Sequence, residues 1–169
     1  SAEPLVVHII DDEESVRLSC EFLLGSLGVQ AQGWPSALAF LQQVDIYRPA
    51  VIISDLMMPE MSGIDLCRTL RRSQAGARMY LIIVTACGND EQVVEAFEAG
   101  VDDFVAKPFN PRILLARVGA AERAIQLRER AEAAERSRLR QVTELGIMTR
   151  KLRAAALTDA LTHLPNRRY

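Results

Sequence analysis

The sequence has no long hydrophobic run. No stretch reaches the roughly 18 to 20 consecutive apolar residues of a membrane helix. The only early apolar run, residues 5–10, is too short for a signal peptide and leads directly into acids. The expected location is the cytoplasm, with no membrane partner. Cysteine is scarce as well: Cys20, Cys67 and Cys87 are odd in number and far apart, which argues against a disulfide framework or a close-pair zinc site. Only two histidines, His8 and His163, are present, and their separation gives no paired-ligand pattern. Proline and glycine nearly vanish late in the chain. After Pro111 no proline occurs until Pro165, and residues 112–157 hold only Gly119 and Gly146. Charge is close to balanced at a formal net of -2, but it is unevenly placed. Acids outnumber bases more than two to one over residues 1–110, and bases outnumber acids about two to one over residues 111–169, which suggests two functional halves.

What is present begins with a core: 49% hydrophobic content in 169 residues supports one domain of ordinary size and an appendage. The most informative stretch is Val51-Ile52-Ile53-Ser54-Asp55-Leu56-Met57-Met58-Pro59. A β-branched run without helical spacing reads as a buried strand, and this one ends in a carboxylate and a proline-stopped turn. Residues 5–10 form a similar run ending in Asp11-Asp12-Glu13-Glu14, residues 80–84 one ending in Thr85, and residues 103–106 one ending in Lys107-Pro108. A weaker strand is expected over residues 29–34. Amphipathic helices are expected over residues 15–27, 37–44, 64–72 and 90–99, with Gly28 and Gly100 as stops. Strands alternating with helices imply a five-stranded parallel sheet with right-handed crossovers and helices on both faces. The expected fold is therefore α/β, doubly wound and flavodoxin-like, in the order 2-1-3-4-5, where ligands bind at the carboxyl edge of the strands.

The acid pair, the central Asp, the Thr and the Lys-Pro fall in the order and at the spacing of a known family. Over residues 3–120 the sequence resembles the CheY-like receiver domain of two-component response regulators. The resemblance implies that Asp55 is the phosphoacceptor. It also implies that Asp12 and Asp55 ligate Mg²⁺ directly, that Met57 contributes its backbone carbonyl, and that Asp11 acts mainly through water. Lys107 and Thr85 would bind phosphoryl oxygens, Phe104 would be the switch aromatic, and the peptide bond before Pro108 would be cis. The implied partner is a sensor histidine kinase or a phosphotransfer protein, and the chain itself is expected to do no chemistry beyond its own phosphorylation and dephosphorylation.

From Pro111 the composition reads as one long helix of about 70 Å at 1.5 Å per residue. Ile113, Leu114, Val118, Ala121 and Ile125 are expected to face the sheet. Residues 121–157 are read as a helical linker continuing the fifth helix. A heptad series runs through Ala124, Leu127, Ala131, Ala134, Arg138, Gln141, Leu145, Met148, Leu152 and Ala155. Arg138 and Gln141 interrupt it, and Leu139 with Val142 suggest a shift of phase. The expectation is a parallel coiled-coil homodimer, joined also through the face of the fourth helix, fifth strand and fifth helix. A solvated helix propped against an absent neighbour is the plainer alternative.

The last residues, Leu157-Thr158-Asp159-Ala160-Leu161-Thr162-His163-Leu164-Pro165-Asn166-Arg167-Arg168-Tyr169, resemble the entry segment of GGDEF domains, which make cyclic di-GMP. His163 departs from the pattern, standing where that family commonly has Gly. Residues 158–169 are thus expected to begin a truncated GGDEF output domain of a diguanylate cyclase. A DNA-binding regulator and a stand-alone phosphate shuttle are the rival readings. No nucleic-acid partner is expected, because the late arginines are interleaved with Glu and no helix-turn-helix follows.

Overall fold

Three strands of this protein alternate between two apolar sets, and that alternation decides the architecture. The computed structural model describes residues 4–45, 48–86 and 89–158. Strands β1 (Val6–Ile10), β2 (Gln30–Trp34), β3 (Ala50–Asp55), β4 (Tyr80–Thr85) and β5 (Asp103–Ala106) pair in parallel in the order β2-β1-β3-β4-β5. The expected flavodoxin-like sheet is the one observed. Side chains alternate across a strand, so Val7, Ile9, Val51, Ile53, Ile82 and Val84 enter one buried cluster, whereas Ile10, Ile52, Leu81 and Ile83 enter the other. A strand apolar on both faces needs helices on both.

Those helices are α1 (Glu14–Gly25), α2 (Ala37–Gln43), α3 (Gly63–Arg71), α4 (Gln74–Ala77), α5 (Asp90–Glu98) and α6 (Pro111–Leu157). Leu24 of α1 and Leu114, Val118, Ala121 and Ile125 of α6 cover one face; Phe40 of α2, Leu66 and Leu70 of α3, and Ala96 of α5 cover the other. Side-chain caps start four of them. Ser36, Ser62, Ser73 and Asn89 each accept from the backbone N–H three residues on. The single turn α4 was not expected from sequence, because one turn is too short to show a 3.6-residue period. The helix expected as the fourth is accordingly α5.

Two details depart from expectation. Gly28 stands at φ 76, but α1 has already ended at Gly25, so the glycine serves the turn after the helix. Ile113 is 49% exposed, whereas Leu114 is fully buried. At 100° per residue the stripe 114, 118, 121, 125 leaves residue 113 on its flank.

The chain divides after Gln126. In the second unit α6 continues to Leu157, and Leu127, Leu139, Val142, Leu145, Met148 and Leu152 are all exposed there. No described helix is long and apolar enough to cross a membrane.

His8 lies in the core beside the sheet's β2 edge. Its Nδ1 accepts a hydrogen bond from Trp34 Nε1 at 3.1 Å, and its ring meets Phe40 edge-on. Burial pushes the imidazole down to about 4. Because the folded value lies below the unfolded one of about 6.5, stability is fully present above neutrality and is lost as pH falls between the two. The expected loss is roughly 3 kcal/mol. Urea unfolding from pH 7 to pH 4 should show this extra decline in the wild type and a shallower one in His8→Gln.

Candidate functional site

Parallel pairing brings four strand ends to one edge. Ile10 lies opposite Ser54, Asp55 opposite Val84, and Thr85 opposite Ala106. Asp11 therefore emerges one residue past β1, Asp55 closes β3, Thr85 closes β4, and Lys107 emerges one residue past β5. Carboxylate oxygens of Asp11, Asp12 and Asp55 all lie within 4.8 Å of one another, with Asp11 buried, Asp55 half-buried and Asp12 exposed.

Asp11 is held at nearly every polar atom. Its N–H donates to Trp34 O at 3.2 Å, its Oδ1 accepts from the Glu13 N–H at 2.9 Å, and its Oδ2 accepts from Lys107 Nζ at 3.0 Å. Arg17 Nη1 donates to the Asp11 carbonyl at 2.7 Å. Lys107 Nζ also stands 3.7 Å from Asp55 Oδ1, which accepts from the Leu56 N–H at 2.9 Å. The ammonium thus sits between two of the three acids. Its backbone N–H donates to Thr85 O at 2.7 Å, and the Lys107–Pro108 peptide is cis.

Electrostatics follow from this crowding. Burial raises the Asp55 carboxyl above its ordinary value; Lys107 and the Leu56 N–H pull it back, and the charges of Asp11 and Asp12 push it further up. For Lys107, burial favours the neutral amine, yet the hydrogen bond from Lys107 to Asp11 and the charges of Asp11 and Asp55 outweigh it and leave the ammonium above its usual range. The pocket is a cluster of partly desolvated acids that a single lysine does not neutralise. Its donors are all oxygen, which suits a hard divalent cation that keeps several waters.

The other sequence-predicted residues lie around this centre. Thr85 is buried at 3% exposure at the same edge, and Met57, two residues beyond Asp55, is 62% exposed. Phe104 pairs in register with Ile83 and packs, partly buried, against the cluster on the α5 side. Neither Asp11 nor Asp12 is the N-cap residue of α1. Its N-cap is instead Glu13, without a side-chain cap, and Asp11 accepts from the Glu13 N–H.

Sequence reasoning missed Arg17, the Leu56 amide and Gly63. A Cβ on Gly63 would collide with the Asp55 carbonyl oxygen, so the glycine lets α3 begin directly beneath the site. The first two contacts run between a side chain and a main chain, and no residue pattern announces them.

Residues 7–119 match the family model of the response regulator receiver domain. The chain belongs to this family. Its receiver domain is similar to that of the transcriptional regulatory protein FixJ of Rhizobium meliloti, at 39% identity over 127 residues, a match covering 75% of this chain and 60% of that one. FixJ of Azorhizobium caulinodans is 38% identical over 152 residues, covering 84% and 71%. Among solved structures, a crystal structure of FixJ-N matches at 38% identity and TM-score 0.64, covering 74% of this chain and 96% of that one. The BeF3-activated receiver domain of DrrB matches at 30% identity and TM-score 0.63, covering 72% and 99%. The chain spans 60%, 71% and 52% of the length of the first three curated relatives.

Because burial and the neighbouring acids raise its carboxyl, Asp55→Asn should stabilise the receiver domain in metal-free buffer at neutral pH. The penalty in the wild type is absent below the ordinary carboxyl pKa and is complete once pH has risen through the raised pKa of folded Asp55. Chemical denaturation at several pH values should show the two proteins converging under acid conditions.

Proposed function

We propose that this chain takes a phosphoryl group onto Asp55 from a phosphohistidine of a sensor histidine kinase or phosphotransfer protein. The observation that carries the reading is the half-buried Asp55 carboxylate at a strand end, with Lys107 Nζ at 3.7 Å and two further carboxylates within 4.8 Å. An Asp55 oxygen attacks phosphorus in line as the P–N bond breaks, and the electron pair returns to the departing imidazole, which takes up a proton. Such transfer depends chiefly on positioning and charge neutralisation. Mg²⁺, held by Asp12, Asp55 and the Met57 carbonyl with Asp11 acting through water, would supply the positive charge that lets the dianionic donor approach the acids. Lys107 then exchanges its carboxylate contacts for a phosphoryl oxygen, and the Thr85 hydroxyl donates to another. Phe104, beside Ile83, turns inward as Thr85 shifts.

The output lies beyond the receiver. Val94 and Phe97 of α5 and Ile113 of α6 are exposed apolar side chains on the face expected to join two copies, and the α6 seam would extend that pairing as a coiled coil. A small rotation at the root of α6 would alter how two output units meet. We read residues 158–169 as the start of a GGDEF domain; all but Thr158 lie outside the described residues. A second reading, output to DNA, is favoured by relatives named as transcriptional regulators. The cytoplasm remains the proposed location.

Incubation with acetyl phosphate and Mg²⁺ should add one phosphoryl mass to the wild type and none to Asp55→Asn or to EDTA-treated protein; equal labelling of the variant would refute the assignment. Light scattering should report a dimer that Leu145→Glu converts to a monomer. Sequencing beyond Tyr169 separates the outputs: a Gly-Gly-[Asp/Glu]-Glu-Phe turn supports the cyclase and a helix-turn-helix supports the DNA-binding reading.

A further inference from the structure

We propose that Arg17 is a positioning residue for the divalent-cation site and acts through the main chain of Asp11. The inference rests on the reading of Asp11, Asp12 and Asp55 as that site. Arg17 lies in the first turns of α1 and its Nη1 donates to the Asp11 carbonyl at 2.7 Å. That carbonyl belongs to the peptide unit joining Asp11 to Asp12. The unit is planar, so a single hydrogen bond to its oxygen sets the plane from which both acids project.

None of the remaining holds on Asp11 engages that oxygen. Trp34 O fixes its N–H, the Glu13 N–H fixes Oδ1, and Lys107 fixes Oδ2. Two of these act on the Asp11 side of the peptide and the Glu13 N–H reaches back across Asp12 to the Asp11 side chain, so none of the three bonds the carbonyl that joins the two acids.

Helix α1 also meets the edge strand one turn beyond Arg17. A Cβ on Gly33 of β2 would lie 3.4 Å from Arg17 Cβ and 2.5 Å from Glu21 Oε1. The Glu21 carboxylate accepts the Gly33 N–H. That bond ties α1 to β2 through Glu21, four residues on from Arg17.

The sign of the effect separates this role from the obvious alternative. A guanidinium beside a cation site opposes cation binding by like charge, so a residue acting only through charge would, on removal, tighten Mg²⁺. A positioning residue does the reverse, and changes around the groups that orient metal ligands commonly weaken affinity ten- to a hundredfold.

The experiment is calorimetric titration of MgCl₂ into the full chain as wild type, Arg17→Met, Arg17→Lys, Asp12→Asn and Asp55→Asn, with metal-free urea midpoints measured alongside. Methionine keeps the stem and removes both the donor and the charge. The expected result is a roughly tenfold weaker Kd for Arg17→Met, recovered in part by Arg17→Lys, with urea midpoints near wild type. Unchanged or tighter binding by Arg17→Met, with the two aspartate variants weakened, overturns the role of Arg17 alone. A loss of affinity matched by a collapsed midpoint and no recovery in Arg17→Lys assigns Arg17 to the fold and also overturns it. Wild-type and aspartate variants that bind alike overturn the cation site, and this inference with it.

Discussion

Three carboxylates and one ammonium at the end of a parallel sheet are the constraint on which this protein turns. Asp11, Asp12 and Asp55 stand close enough to share one ligand sphere, and Lys107 Nζ lies 3.0 Å from one and 3.7 Å from another. A lysine between two acids satisfies each in part and neutralises neither fully, which is why burial still leaves Asp55 above its ordinary carboxyl range. Such a site is poised toward added positive charge. It also places the fold's least comfortable charges where chemistry is expected, at a cost that the apolar sheet beneath absorbs.

The sheet can bear that cost because its strands are buried on both faces. Val51, Ile52, Leu81, Ile82 and Ile83 are at or near zero exposure, and the parallel register sends the ends of β1, β3, β4 and β5 to one edge. Were the strands antiparallel, Asp55 and Thr85 would lie at opposite ends. Topology therefore carries the site. The residues at the strand ends supply its charge, and their neighbours supply its exact angles: Gly63 for the approach of α3, the Leu56 N–H for Asp55, and Arg17 for the peptide between the two leading acids.

This separation explains what could be read from the amino-acid order. The strands were legible because β-branched runs stop abruptly at Asp11, Asp55, Thr85 and Lys107, and the stops themselves carry the chemistry. The turn α4 was not legible, since Gln74–Ala77 is too short to declare a period. One of the five predicted core positions on α6, Ile113, was misread because a residue beside a helical stripe looks, in one dimension, like a member of it. Arg17 was invisible for another reason. Its partner is a backbone oxygen that every residue possesses, so only the fold singles out which one it meets.

Helix α6 shows the same logic at larger scale. Its buried positions 114, 118, 121 and 125 form one stripe. In the second unit Leu127, Leu145 and Leu152 stand at heptad spacing and are exposed. The chain divides after Gln126, just past the last residue of the buried stripe. The first stripe is spent on the sheet, and the exposed apolar residues of the second unit take no part in that packing. Burial of the receiver's core therefore draws on the first stripe and needs nothing from the residues that follow it.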